Sequence, residues 1–541
     1  MGQIVFWLEA AITSLMLFIL GVAILARIKR PVGRWLFGAA AIILVLCPWV
    51  VAVGTFALYQ KKYGWSEFPL YCSLVFAILL VISAIVVLLY GYRKSQQLEA
   101  DRVAGQWKLG KITLLFLAGV VVPGTTFWNL DLAVRQEMAI LRAEAGAISL
   151  SASPPRIPDS QNAAVLYRQA YEMLDASKLP ADANTWMHLL SGWKDARYDK
   201  SFNSDNKDML AFLKDQVPVI ALLRRTGQMQ GCNLGLEYNP PSPAMLVPEF
   251  RKLKGLSNLL SISSTVNVCQ NRLDEAMEDI TDEYALAAHC SGESLLISLL
   301  VGMSIEEQAL DDLQYALNNT TPTLEAMENL KINPSESFAV AFQKSMRMEE
   351  AMGLTIFNPS EMVQLSEALR GEYHPAMSIL AVPYRVFLWA NDVRSYRLIM
   401  TRQQRFAASP YYEVREKWMH IGQEKFSGGL LSAWFLPALE SVAMHSAKAD
   451  AQHRLSLLAG AMVKYRLKNR DWPDKVELLL PNYLSNAPVD PFTGKGMKIL
   501  KDADGGIILY SLGPDNVDDG GKPLDKNTMK GDISITLKKF R

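Results

Sequence analysis

Histidine and cysteine are scarce in this chain, six and five among 541 residues, and charge of one sign is scarcer still, with 55 Lys and Arg against 54 Asp and Glu. Each shortage excludes something. The histidines, His188, His289, His374, His420, His445 and His453, form no HExxH and no close pair. His445 and His453 stand eight apart, two turns along one helical pattern, and no third zinc ligand accompanies them. The cysteines show no CxxC and no metal spacing. Cys47 and Cys72 fall in apolar stretches, which leaves Cys232, Cys269 and Cys290. Three thiols permit one disulfide in an oxidising compartment and leave at least one free, and buried inert thiols are the expected state for most of them. GxSxG, Walker and GxGxxG motifs are absent. Ser191-Gly192-Trp193-Lys194 matches SxxK, a string too short to be specific, and no KTG follows it. The sequence carries no recognisable catalytic motif.

Long apolar runs, by contrast, fill the first quarter. Residues 4–26, 36–58, 70–90 and 112–130 are each long enough to cross a hydrocarbon core of about 30 Å at about 1.5 Å rise per residue. Glu9 is the one acid within the first run, near its end, and Pro48 and Pro123-Gly124 predict kinks that neighbouring helices tolerate. Basic residues collect in two of the loops: Arg27, Lys29, Arg30 and Arg34 in the first, and Arg93, Lys94, Arg102, Lys108 and Lys111 in the third. The second loop holds only Lys61 and Lys62 beside Glu67. Positive loops stay in the cytoplasm, so both termini and everything after Leu130 are expected on the exported side. No basic n-region precedes the first run, which therefore reads as a retained span and not a signal peptide. The expected location is the cytoplasmic (inner) membrane of a bacterium, with the lipid bilayer and other envelope proteins as partners.

Residues 1–132 hold 11 basic and 5 acidic residues, leaving 44 basic and 49 acidic residues in the remainder. A mildly acidic region of this kind argues against nucleic acid as a partner. After the last span, Leu132, Gln136, Ala139, Ile140 and Ala143 recur at helical spacing until Ser151–Pro158 breaks the pattern. Helical periodicity then predicts helices over 207–229, 247–268, 272–289, 293–317, 323–331, 335–353, 359–369, 376–406, 411–421 and 437–468. In 272–289, Asp274, Glu275, Glu278, Asp279, Asp282 and Glu283 share one side opposite Leu273, Met277, Ile280 and Tyr284. That acidic ridge reads as a solvated face, the ordinary need of an amphipathic helix. No fixed internal period is present, which points away from a solenoid and toward an irregular helical domain.

The texture changes at Asp471. Trp472-Pro473 turns the chain, a short amphipathic piece covers 475–484, and Asp490-Pro491-Phe492-Thr493-Gly494 follows. Two strand-like runs, 497–500 and 507–512, flank an Asp-Gly turn, and then come Gly513-Pro514-Asp515-Asn516-Val517-Asp518-Asp519-Gly520-Gly521 and Gly531-Asp532-Ile533. In this order the elements of residues 445–535 resemble the globular end of the major pseudopilin of type II secretion systems, over a fifth or less of the chain. The resemblance implies a long helix leading to a short antiparallel sheet, and an acidic loop that holds calcium. By that analogy Asp515, Asp518 and Asp532 are the ligand positions, with Asp519 a fourth. A hard cation in a Gly-rich loop needs such oxygens, and an acidic surface turn with no metal is the alternative. Four spans and the lack of a basic leader set the chain apart from a pilin subunit. The whole layout is similar to that of large multi-span membrane proteins of Planctomycetes-type bacteria, a likeness that implies no activity.

The expected architecture is thus mainly α: a four-helix transmembrane region (1–132), a helical extension and Pro/Ser linker (133–158), an irregular α-helical exported domain (159–436) and a small C-terminal α+β pseudopilin-like module (437–541). The expected function is that of a non-enzymatic integral membrane protein with an exported scaffold domain. An exported-side hydrolase built around Ser191/Lys194 or His445/His453, and a secretion or transport accessory, are the alternatives.

Overall fold

The computed structural model describes residues 134–175, 186–198, 202–229, 231–236, 238, 248–332, 337–357, 389–423, 439–502, 504–525 and 527–539. The four apolar runs with their basic loops, the helix expected at 359–369 and the first part of the one expected at 376–406 lie outside the described residues. Among the described residues no helix is long and apolar enough to cross a membrane. The chain divides into two compact units.

The protein is mainly helical, with one small antiparallel sheet. The helices are α1 (residues 134–152), α2 (Ala163–Asp175), α3 (Trp186–Tyr198), α4 (Lys207–Asp215), α5 (Val217–Gly227), α6 (Pro248–Cys269), α7 (Leu273–Gly292), α8 (Leu296–Asn319), α9 (Leu324–Asn329), α10 (Phe338–Ile356), α11 (Trp389–Ala407), α12 (Tyr411–Gln423) and α13 (Leu439–Asn469). The single helix expected over 207–229 is two. Pro218, in the first turn of α5, has no N–H to continue α4, and Gln216 sits between them at φ −87°, ψ 0°. Asn206 caps α4, accepting from the amides of Asp208 and Met209 at 3.0 and 3.1 Å.

The smaller unit takes in residues 1–144, 353–399 and 425–437. Within it Phe357 meets Tyr396 edge-on with ring centroids 5.2 Å apart, and Trp389 Nε1 donates to the Phe357 carbonyl at 3.1 Å. Arg397 pairs with Glu144.

In the larger unit α6, α7 and α8 pack on one another, joined by short connections. Gly302 lets α8 approach α7 closely: a Cβ there would lie 2.9 Å from the Ala287 carbonyl oxygen. One core lies beneath α2, α5, α6 and the second half of α7, around Leu174, Leu223, Leu256, Leu259 and Leu286. The other joins the first half of α7 to α8, α9, α13 and the sheet.

Helix α13 ends at Asn469, and Trp472 turns back under it with the Arg466 guanidinium 4.5 Å above its ring. The short piece expected at 475–484 forms a 3-10 turn, Val476–Leu479. Strands β1 (Lys498–Lys501), β2 (Ile507–Ser511) and β3 (Ile533–Leu537) follow in sheet order β1-β2-β3, all antiparallel. The strands expected at 497–500 and 507–512 are there within a residue, and β3 adds a third beyond the Ile533 at which the sequence pattern stops. Ile533, Ile535 and Leu537 alternate inward onto α13. The free edge of β3 is covered by α8: Asn318 Nδ2 donates to the Thr536 carbonyl at 2.7 Å, while the amides of Thr536 and Lys538 donate to Gln314 and Asn318 at 2.9 and 2.8 Å. Strand edges left open invite pairing with other chains, and these side chains close this one.

Candidate functional site

The terminal acidic loop is held by its own carboxylates. Asp515 accepts from the Val517 and Gly531 amides at 3.1 and 3.0 Å. Asp518 accepts from Tyr510 Oη at 3.1 Å and the Gly520 amide at 3.2 Å, with Lys498 Nζ at 3.4 Å. Asp532 Oδ2 accepts from the Asp519 and Gly521 amides at 3.1 and 2.7 Å. Gly531, at φ +104°, permits the return: a Cβ there would sit 2.9 Å from the Pro523 carbonyl oxygen. The fold thus brings Asp518 and Asp519 near Asp532, whose carboxyl is raised by burial and then by Asp518 and Asp519, against the lowering pull of the amides. Asp515 turns to a different amide set. Among the described residues no three His, Cys, Asp or Glu side chains gather as a metal-binding group. As arranged, Asp515, Asp518 and Asp532 each accept from loop amides, while Asp519 takes part through its own amide. Of these four carboxylates, Asp532 has an oxygen, Oδ1, that is buried without a donor.

The other sequence candidates separate. His445 Nδ1 lies 2.7 Å from the Ser441 carbonyl oxygen of its own helix, whereas His453 Nδ1 meets Glu306 of α8 at 2.9 Å. Burial pulls the His453 pKa down, but the hydrogen bond and charge of Glu306 outweigh it and the net shift is upward. Lys194 donates to Gln308 of α8. Cys232, Cys269 and Cys290 are free thiols. Burial pushes the Cys290 thiol up to about 12, which makes it inert at neutral pH.

The acidic ridge of α7 meets the sequence expectation in its first half, where Asp274, Glu275 and Glu278 are exposed, and departs from it in the second. Asp279, Asp282 and Glu283 are buried, because α5, α6 and α8 cover the side that was expected to meet solvent. Arg224 of α5 reaches across and engages Glu278 at 3.0 Å, Asp279 at 3.0 Å and Asp282 at 2.8 Å. Ser263 Oγ and Asn267 Nδ2 of α6 each donate to Asp279 Oδ2 at 2.8 Å. Burial still outweighs these partners, raising Asp279 to about 6 and Asp282 to about 7.

One turn further, α3, α6, α7 and α8 meet around Gln308. Its Nε2 donates to Ser257 Oγ at 2.7 Å and the Ser257 carbonyl at 2.9 Å, and points to Glu283 Oε1 at 3.4 Å. Its Oε1 accepts from two ammonium groups, Lys194 of α3 and, at 3.2 Å, Lys254 of α6. Glu283 hydrogen-bonds the Asp312 carboxyl, and burial and then that neighbour raise it well above the carboxylate range. Arg197 holds Asp312 Oδ1 and also donates to Thr265 Oγ1 at 3.0 Å. Glu283 Oε2 and Asp312 Oδ2 are both buried without a donor, and a carboxyl so placed beside a second carboxylate is held toward its neutral form, as the raised Glu283 is. The constellation holds an acid pair, two amines and a hydroxyl. No motif announces it, because its members are scattered from 194 to 312; the signal in the sequence is only the excess of acids on one helix.

On the outside of this unit, Gln169, Glu172 and Met173 of α2 and Pro218 and Leu222 of α5 line an open groove of about 570 Å³. No family model, curated protein or solved structure matches the chain.

Proposed function

We propose that the chain is a multi-pass inner-membrane protein of a bacterium whose helical region is a non-enzymatic scaffold, exported and docked to other envelope proteins. The membrane part rests on the four apolar runs and the Lys and Arg asymmetry of their loops. The observation that carries the scaffold is the inward direction of the charged side chains. Arg224, Arg197 and His453 are all engaged by carboxylates of neighbouring helices, as cross-links that set helix register. Such groups make a rigid body, not an open cleft. In the hydrolase alternative two of the basic groups are already engaged elsewhere, Lys194 by Gln308 and His453 by Glu306. The terminal sheet packed on α13 accords with a pseudopilin-like module, and we keep calcium in its acidic loop as part of the proposal, supported by the donorless Asp532 Oδ1.

Reporter fusions test the topology: a fusion after Arg142 is expected to signal from the exported compartment, and fusions at Arg30 and Lys94 from the cytoplasm. A cytoplasmic signal after Arg142 overturns the exported assignment. For the scaffold, a photo-crosslinker at Met173 or Leu222 is expected to give a discrete adduct with an envelope protein in living cells, and Leu222→Glu to abolish it. Absence of any adduct from the helical surface counts against docking. Calcium is expected to raise the melting temperature, and Asp532→Asn to remove the rise; an unchanged melting temperature across the titration leaves a metal-free acidic turn.

A further inference from the structure

The geometry around Gln308 points to a reactive amine: we propose that Lys254 is a carbonyl-capturing nucleophile, a covalent site for small aldehydes or ketones at the start of α6. Two ammonium groups, Lys194 and Lys254, converge on the single carbonyl oxygen of Gln308. Lys254 also donates to the Ser304 carbonyl at 3.1 Å, and Ser304 is exposed, so the amine sits where the polar interior opens to solvent. The groups facing Lys254 are Lys194 from α3, Glu283 and Cys290 from α7, and Asp312 from α8. Of these acids, burial holds Glu283 well above the carboxylate range, and Arg197 already engages Asp312. Too little negative charge remains to hold two ammoniums at full strength, and one must yield. Burial, and next the repulsion of Lys194, lower Lys254 to about 8. A lysine desolvated beside a second cation is the arrangement that frees an amine for attack on a carbonyl.

The step balances within the site. The neutral Lys254 Nζ lone pair forms a C–N bond to the carbonyl carbon, the carbonyl π pair moves onto oxygen, and the proton shed by the nitrogen makes that oxygen the hydroxyl of a carbinolamine. The C–O bond then breaks, water leaves, and a C=N bond joins Lys254 to the ligand. The Lys194 ammonium, hydrogen-bonded to the same Gln308 oxygen, is placed to give the proton that the leaving hydroxyl needs and to recover one from the nitrogen. The capture is stoichiometric, with no turnover, and is independent of the scaffold proposal.

The test is competitive labelling of the full chain with trace acetaldehyde and cyanoborohydride, read as ethyl-lysine at each position by peptide mass spectrometry from pH 6 to 10. At pH 7 a group of pKa about 8 is roughly 10% free amine, against about 0.04% for an ordinary lysine. The weaker base is a weaker nucleophile, which removes part of that advantage. Lys254 is therefore expected to label about tenfold faster than the exposed Lys207 and Lys214, with a midpoint near 8. Lys194→Met is expected to move that midpoint upward and slow Lys254 severalfold at pH 7 while leaving Lys207 unchanged. Lys254→Met removes the fast adduct. A wild-type Lys254 that labels no faster than Lys207 and Lys214 overturns the proposal, whether the amine is charged or shielded, and that comparison needs neither variant.

Discussion

Removing the Arg224 guanidinium tests the buried ridge most directly. In Arg224→Met the aliphatic stem is kept and three ion pairs are lost. Glu278, half exposed at 47%, contributes little, because solvent screens it. Asp279 and Asp282, at 0% and 6%, are left as buried acids without a cation, and breaking such a pair costs about 3–5 kcal/mol. The cost depends on pH in a fixed direction. Both acids already titrate high in the folded protein, at about 6 and about 7, against roughly 3.9 unfolded. The folded state therefore binds protons more tightly, and its stability falls as pH rises from about 4 through about 7. Without Arg224 both values climb further, so the variant suffers most above pH 7. At pH 5 the acids are neutral and need no cation, and a loss of about 1 kcal/mol is expected from the missing hydrogen bonds. Hydrogen exchange of α7 amides at pH 5 and pH 8, corrected for intrinsic rate, measures the local opening free energy. Adding Asp279→Asn and Asp282→Asn should recover most of the loss at pH 8. A deficit equal at both pH values, or one below about 1 kcal/mol at pH 8, refutes the buried-ridge account.

Glu283→Gln should act in the opposite sense. The Glu283 carboxyl is raised in the folded state, so its stabilisation is present in acid and lost as pH rises; an amide donates to Asp312 at any pH, and the variant should gain about 1–3 kcal/mol over the parent at pH 8 and nothing at pH 4. Urea unfolding at the two pH values checks this, and an equal effect at both denies the raised Glu283 carboxyl. Phe492→Ala, which empties a buried site where the ring meets Tyr411 edge-on at 5.5 Å, should cost about 3–5 kcal/mol, with exchange protection lost in β2 before α6.

The helices were legible because burial on one side leaves a 3.6-residue trace, and from α6 to α13 the expected and observed ends agree within a few residues wherever both are described. Pro218 was legible as a residue, but a long apolar pattern ran across it and concealed the break between α4 and α5. Strand β3 was harder: five residues with Ser534 and Thr536 in alternation give a weak signal, and its partner edge on α8 lies about two hundred positions earlier. In the acidic loop, the aspartates could be named from the resemblance, but not the amides they would accept from, since those depend on the return of the chain at Gly531.

The apolar runs and the helical periods follow from the sequence alone, because each pattern is complete within about twenty consecutive residues. Which acids would be buried was decided only by the tertiary structure. Asp279, Asp282 and Glu283 occupy one face of α7 whether that face meets water or protein, and a helical pattern records which residues share a side, never what lies across from it. Arg224, 58 positions before Asp282, and Arg197, 115 before Asp312, supply the opposite charge. Only when α3 and α5 are laid against α7 and α8 does the second half of a ridge that looks solvated become charged interior.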